Sequence, residues 1–155
     1  MSGFTDFARL EFKRRELSAE RRLKLLEEVR RRILGVDDVV FAYVYGSFVE
    51  GSSFRDLDIA VWIRDPEKAF YYTVDFSAWL GIEVGVSVDV QVLNEAPLPF
   101  KHYVFTRGKL LLSRDEELRL RLADMTARHY ADLRLLTETG VRGGEIYRRK
   151  GMSEV

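Results

Sequence analysis

The chain has 155 residues, room for one domain with a substantial core, and its 25 basic and 25 acidic side chains cancel to zero formal charge. That balance gives no global case for direct nucleic-acid binding; the lack of cysteine excludes disulfides, thiol catalysis and thiolate-held zinc, and two histidines leave little for an imidazole site. No apolar stretch approaches the roughly 20 residues that span a bilayer, and Met1-Ser2-Gly3-Phe4-Thr5-Asp6 lacks the pattern of a signal peptide, so a soluble, cytoplasmic protein without membrane contact is expected.

Taken in chain order, Phe4, Phe7, Leu10 and Phe12 recur at near-helical spacing, which predicts within residues 4–17 a short helix packed on the domain, or else an arm that meets a partner. Ser18 is placed to cap a helix from Ala19 to about Leu34, with Glu20 in its first turn and Gly35 beyond its end. Leu23, Leu26, Val29, Ile33 and Leu34 form its apolar stripe, and its many arginines read as a solvated face. Val39 to Tyr45 and Leu57 to Ile63 read as strands joined through a Gly-Ser turn. Asp65-Pro66 opens a helix to about Leu80 whose apolar face would hold Phe70, Val74, Phe76 or Ser77, and Leu80. Val86 to Leu93 reads as a third strand, Pro97 to Phe105 as a short helical segment, and Lys109 to Leu112 as a last, edge-like strand. Glu116 to about Thr139 is amphipathic, with Leu118, Leu122, Met125, His129, Leu133 and Leu136 on one face and His129 expected to be half-buried. The order gives an α/β or α+β fold, a small mixed sheet flanked by helices. One domain is expected over 1–155, with a core over about 18–113, an N-terminal helical segment at 4–17 and a C-terminal helix at about 115–139. Periodicity alone leaves the strand order open.

The chemistry is concentrated between Tyr45 and Trp62, where an apolar run ends at Gly46-Ser47 and the next opens on Asp56-Leu57-Asp58. In a strand, residues i and i+2 share a face, so the two carboxylates would project side by side. Adjacent carboxylates repel unless a cation lies between them, and Mg²⁺ prefers oxygen ligands. Gly-Ser offers backbone N–H groups with no bulky side chain, which suits a phosphate. A third acid, Asp89, stands alone in the alternating run Ser87-Val88-Asp89-Val90-Gln91. Each feature has a plainer reading: Gly-Ser is a common turn, Asp-x-Asp can face water, and Ser87 with Gln91 would allow an exposed face.

Gly-Ser, a spacer, Asp-x-Asp on the next strand and an acid on a later strand together resemble the nucleotidyltransferase superfamily related to DNA polymerase β. The likeness is to its minimal single-domain members, and it extends over about residues 20–115 and includes Leu93-Asn94-Glu95-Ala96-Pro97 and Arg107-Gly108-Lys109-Leu110-Leu111. The resemblance implies a central mixed sheet, Asp56, Asp58 and Asp89 as catalytic residues and ligands of two Mg²⁺ ions, and Gly46 and Ser47 as nucleotide-binding residues, with ATP as substrate. It also implies an antitoxin role in which AMP passes to a tyrosine of a helical HEPN-type partner. The alternative is an antitoxin with a degenerate site that neutralises its partner by binding alone; a small-molecule nucleotidyltransferase acting as a homo-oligomer is a further possibility. Two departures stand out. The spacer before Asp56 is about two residues shorter than is common in that group, and Glu50 stands where many relatives carry a basic residue, so its charge should oppose a triphosphate unless it points away.

Overall fold

A computed structural model describes residues 15–138. The helix expected within 4–17 lies outside the described residues except at its end, and there it is corrected: Arg15–Glu16 form a strand, β1. Ser18 is extended (φ −61°, ψ 159°) so that its hydroxyl can accept from the Arg21 N–H, and a helix cannot run unbroken into an extended capping residue. The capped helix, α1, spans Ala19–Leu34 as expected.

Strand β2, Val39–Tyr45, is buried along its whole length. The Gly-Ser turn is more than a turn, because Ser47–Glu50 form one turn of helix, α2, before strand β3 at Ser53–Phe54. Strand β3 pairs antiparallel with β1, so the chain ahead of α1 is stitched to the spacer that follows Gly46-Ser47. Strand β4 is Leu57–Ile63. A composite helix, α3, follows: a 3₁₀ turn at Pro66–Lys68, a short α segment, a π-helical stretch at Tyr72–Phe76 and a regular segment at Ser77–Val84. Then come β5 (Val88–Val92), α4 (Leu98–Arg107), β6 (Lys109–Ser113) and α5 (Glu116–Glu138).

The main sheet has the order β5-β4-β2-β6. Strand β2 runs antiparallel to both β4 and β6, whereas β4 and β5 are parallel and need α3 as their crossover. Alternation along β4 sends Ile59, Val61 and Ile63 to one face, against Val29 and Ile33 of α1 and Tyr72, Phe76 and Leu80 of α3. Ala60 and Trp62 point to the other face, with Phe41, Tyr43 and Tyr45 of β2, beneath Val104 of α4 and Leu118 and Leu122 of α5. A register shift between Val39 and Phe41 puts Val39 in the first core while Val40 and Phe41 join the second. The expected class is therefore found: a mixed sheet between two helical layers.

Three expected faces are corrected in whole or in part. In α1, Leu23 and Leu34 of the expected stripe are exposed, and Val29 and Ile33 are the buried residues. In α3, Phe70 is 78% exposed and Val74 is also turned outward, and Tyr72, Phe76 and Leu80 hold the core instead. The π stretch widens one turn and resets the helical face, which a constant 3.6-residue period cannot anticipate. In α5, His129, Met125 and Leu136 are exposed. Leu118 and Leu122, in the first half of α5, pack on the second core, whereas farther along Tyr130 stacks on His102 of α4 at 3.7 Å, so the helix turns a narrower face inward than its apolar pattern suggests. No helix among the described residues is long and apolar enough to cross a membrane.

Candidate active site

Strand parity assembles the site. Asp58 shares its face of β4 with Ala60 and Trp62, so it lies on the side covered by α4, at the strand's beginning. Across the antiparallel pair its register partner is Tyr45, and across the parallel pair it is Asp89. Asp56 precedes β4 by one residue and accepts a 2.7 Å hydrogen bond from the Ser87 hydroxyl, at the mouth of β5. Asp89 accepts from the Gln91 amide at 3.0 Å. Ser87 and Gln91, which left an exposed face open as a reading of the sequence, are thus polar partners that hold two of the three acids.

Among the described residues none of the three carboxylates joins an ion pair. Burial first, then the charges of Asp89 and Asp56, push the Asp58 carboxyl up to about 7. Burial first, then the charges of Asp58 and Asp89, also push the Tyr45 phenol well above its usual range. An acid so raised and without a positive partner is a group that a cation would relieve. No group of three or more His, Cys, Asp or Glu side chains among the described residues is preassembled around one point. Paired carboxylates such as Asp58 and Asp89 are a donor set that suits a hard, oxygen-seeking divalent cation.

Gly46 sits directly against this centre with φ 78°, and a Cβ built on it would lie 2.3 Å from Oδ2 of Asp58. Glycine is thus required twice, for the left-handed backbone and for the close approach. Ser47 follows at the head of α2, where the first N–H groups of a helix turn have no partner within the turn. The structure therefore brings together Gly46, Ser47, Asp56, Asp58 and Asp89, the full set expected from the sequence. Beside Asp89 opens a cleft of about 550 Å³, walled by Tyr45, Phe100, Pro97 and Thr73.

Two features of the site were not legible in the sequence. Arg22, read there as part of a solvated basic face, donates to the carbonyls of Phe48 at 2.6 Å, Ser52 at 2.6 Å and Gly51 at 3.2 Å. Its guanidinium also covers the Phe48 ring at 5.0 Å. One side chain of α1 thus ties down the loop that carries Gly46-Ser47. Glu50, in turn, does not confront the site as a free charge: Tyr103 donates to it at 2.7 Å and Arg107 at 3.0 Å. These bonds, the Tyr103 hydroxyl foremost, hold its carboxyl below the usual range. Both contacts come from α4, more than 50 residues away in the chain, and no local pattern encodes them.

Residues 17–117, more than half of the chain, match the profile of the family described as polymerase beta, nucleotidyltransferase. The chain belongs to this nucleotidyltransferase family. No curated protein sequence matches it. Among solved structures, it is similar to a Shewanella oneidensis MNT antitoxin in complex with a tri-AMPylated HEPN toxin, with 20% identity, a TM-score of 0.54, and 78% of this chain and 98% of that one covered. A toxin–antitoxin complex with AMP-PNP gives 23% identity and a TM-score of 0.54 over 83% of this chain and 98% of that one. The MntA–HepT complex gives 20% identity and a TM-score of 0.54 over 77% and 97%. At these identities the likeness establishes the nucleotidyltransferase fold.

Proposed function

We propose that this nucleotidyltransferase moves AMP from ATP to a tyrosine hydroxyl of a helical, HEPN-type partner, and so acts as the antitoxin of a two-protein module. The observation that carries the reading is the register pairing of Asp58 with Asp89 directly beside Gly46, with a cleft opening at Asp89. The similarity to complexes containing an AMPylated toxin and AMP-PNP supports the choice of nucleotide and acceptor.

The acceptor oxygen attacks the α-phosphorus, a new P–O bond forms, and the bond to the β-phosphate oxygen breaks to release pyrophosphate. Gly46 and Ser47 hold the phosphates in line, so positioning supplies much of the acceleration. Asp56, Asp58 and Asp89 would hold two Mg²⁺ ions, which when bound make the acceptor hydroxyl more acidic and neutralise the leaving pyrophosphate. Asp89, at the cleft, accepts the proton of the acceptor. The aromatic walls of Tyr45 and Phe100 fit a ring-bearing acceptor.

The test is label transfer from ATP labelled at the α-phosphate, with Mg²⁺ and a HEPN-type helical protein as acceptor. Wild type is expected to label a tyrosine of the partner, and Asp89→Ala to lose about 100-fold or more in turnover while still binding ATP. A stable complex with no label in either reaction would instead leave a partner-binding antitoxin without catalysis.

A further inference from the structure

The three carboxylates make the neighbourhood of Gly46 acidic, and a nucleoside triphosphate brings several more negative charges to it. A cation that belongs to the protein would add to the neutralisation that bound metal ions supply on the phosphate side. The α4 helix supplies one candidate. Phe100, Tyr103 and Arg107 lie at i, i+3 and i+7 of α4 and share a face. Phe100 packs edge-on against Tyr45 at 5.4 Å and lines the Asp89 cleft. Tyr103 packs on the same ring at 6.1 Å and donates to Glu50. Arg107 follows at the far end, about 10 Å along the helix from Phe100, bonded to the other oxygen of Glu50.

This face of α4 thus runs from the acceptor cleft, over the Tyr45–Asp58 pair, to the α2 turn. Glu50 closes that turn by donating its N–H to the Gly46 carbonyl at 3.0 Å. The Arg107 guanidinium is therefore tied, through Glu50, to the same four-residue turn that begins at Ser47. The Arg107 side chain is 67% exposed, and one terminal nitrogen of its five-donor fork makes the bond to Glu50.

We propose that Arg107, held in place by Glu50, is a nucleotide-binding residue that contacts the β- and γ-phosphates of the bound triphosphate. Glu50 then has a positive role: it is the anchor that recruits this cation from α4. The proposal rests on the nucleotide reading above and adds to it a residue that sets triphosphate against monophosphate selectivity.

The experiment is calorimetric titration of the full chain with ATP and, separately, AMP, each with Mg²⁺. It compares wild type, Arg107→Ala, and the double variant Glu50→Arg with Arg107→Ala, with thermal melts of all three. Arg107→Ala is expected to weaken ATP by about tenfold or more, the scale of a lost charge-assisted hydrogen bond, and to leave AMP unchanged. The double variant, which moves the cation to position 50, is expected to recover ATP affinity. Equal loss for ATP and AMP would make Arg107 a strut of α4 and overturn the proposal, as would unchanged ATP affinity in a folded Arg107→Ala protein. Wild type that binds neither nucleotide would overturn the nucleotide reading itself, a result distinct from failure at Arg107 alone.

Discussion

Asp58 shows how strongly one residue is governed by its neighbours. Its carboxyl, ordinarily near 3.8, is raised to about 7 by burial and by two adjacent acids. The folded protein therefore keeps a proton that the unfolded chain releases near pH 4. The associated stability is complete below that pH, declines as pH rises from about 4 to about 7, and is lost above it. Asp58→Asn removes this burden. In metal-free protein the variant is expected to match wild type at pH 4.5 and to exceed it at pH 8 by about 2 kcal/mol, a figure already reduced for solvent screening of a half-buried group. Urea unfolding at the two pH values checks this; a difference that stays constant with pH would mean that Asp58 does not titrate where its surroundings place it.

Among the elements, the loop from Gly46 to Phe54 depends on contacts from outside itself. Helix α2 has only four residues, too few to be stable alone. It is fixed by Arg22 through three carbonyls, by the β1–β3 pairing, and by the edge-on packing of Phe48 on Phe54 at 4.8 Å. The short spacer is thus compatible with an ordered phosphate-side turn. Lysine at position 22 keeps the charge but not the planar fork, so Arg22→Lys cannot bridge the same set of carbonyls. The expected outcome is ATP affinity reduced by about fivefold or more, equivalent to losing one to two net hydrogen bonds, with the far-ultraviolet circular dichroism unchanged. ATP affinity equal to wild type would show that the clamp does not govern the turn.

At the scale of the whole molecule, the site rests on a sheet whose two faces are both covered. Phe41 lies at the centre of the second core, fully buried, with rings of Tyr43, Trp62 and Phe105 each 6.0 Å away. Phe41→Ala is expected to cost about 3–5 kcal/mol, a large share of the 5–15 kcal/mol typical of a whole domain. Urea unfolding at neutral pH measures it. A cost below about 1 kcal/mol would mean that this face of the sheet is not a packed core.

What the sequence determined by itself was what short-range rules can carry. The limits of β2 and β4 followed from uninterrupted apolar and alternating runs, those of α1 from a serine cap and a helical stripe, and the candidacy of Gly46, Ser47, Asp56, Asp58 and Asp89 from their types and order. What the tertiary structure decided were relations between distant segments. Parallel pairing of β4 with β5 put Asp89 in register with Asp58, and α4 turned Glu50 from a charge facing the site into one bonded to Tyr103 and Arg107. The same holds for Arg22, whose partners lie 26 to 30 residues away, and for the π-helical stretch that turned Phe70 outward. Periodicity and turn chemistry act over a few residues, so they set elements and residue types. Register, bonding partner and exposure depend on which element packs against which, and that is settled when the chain closes on itself.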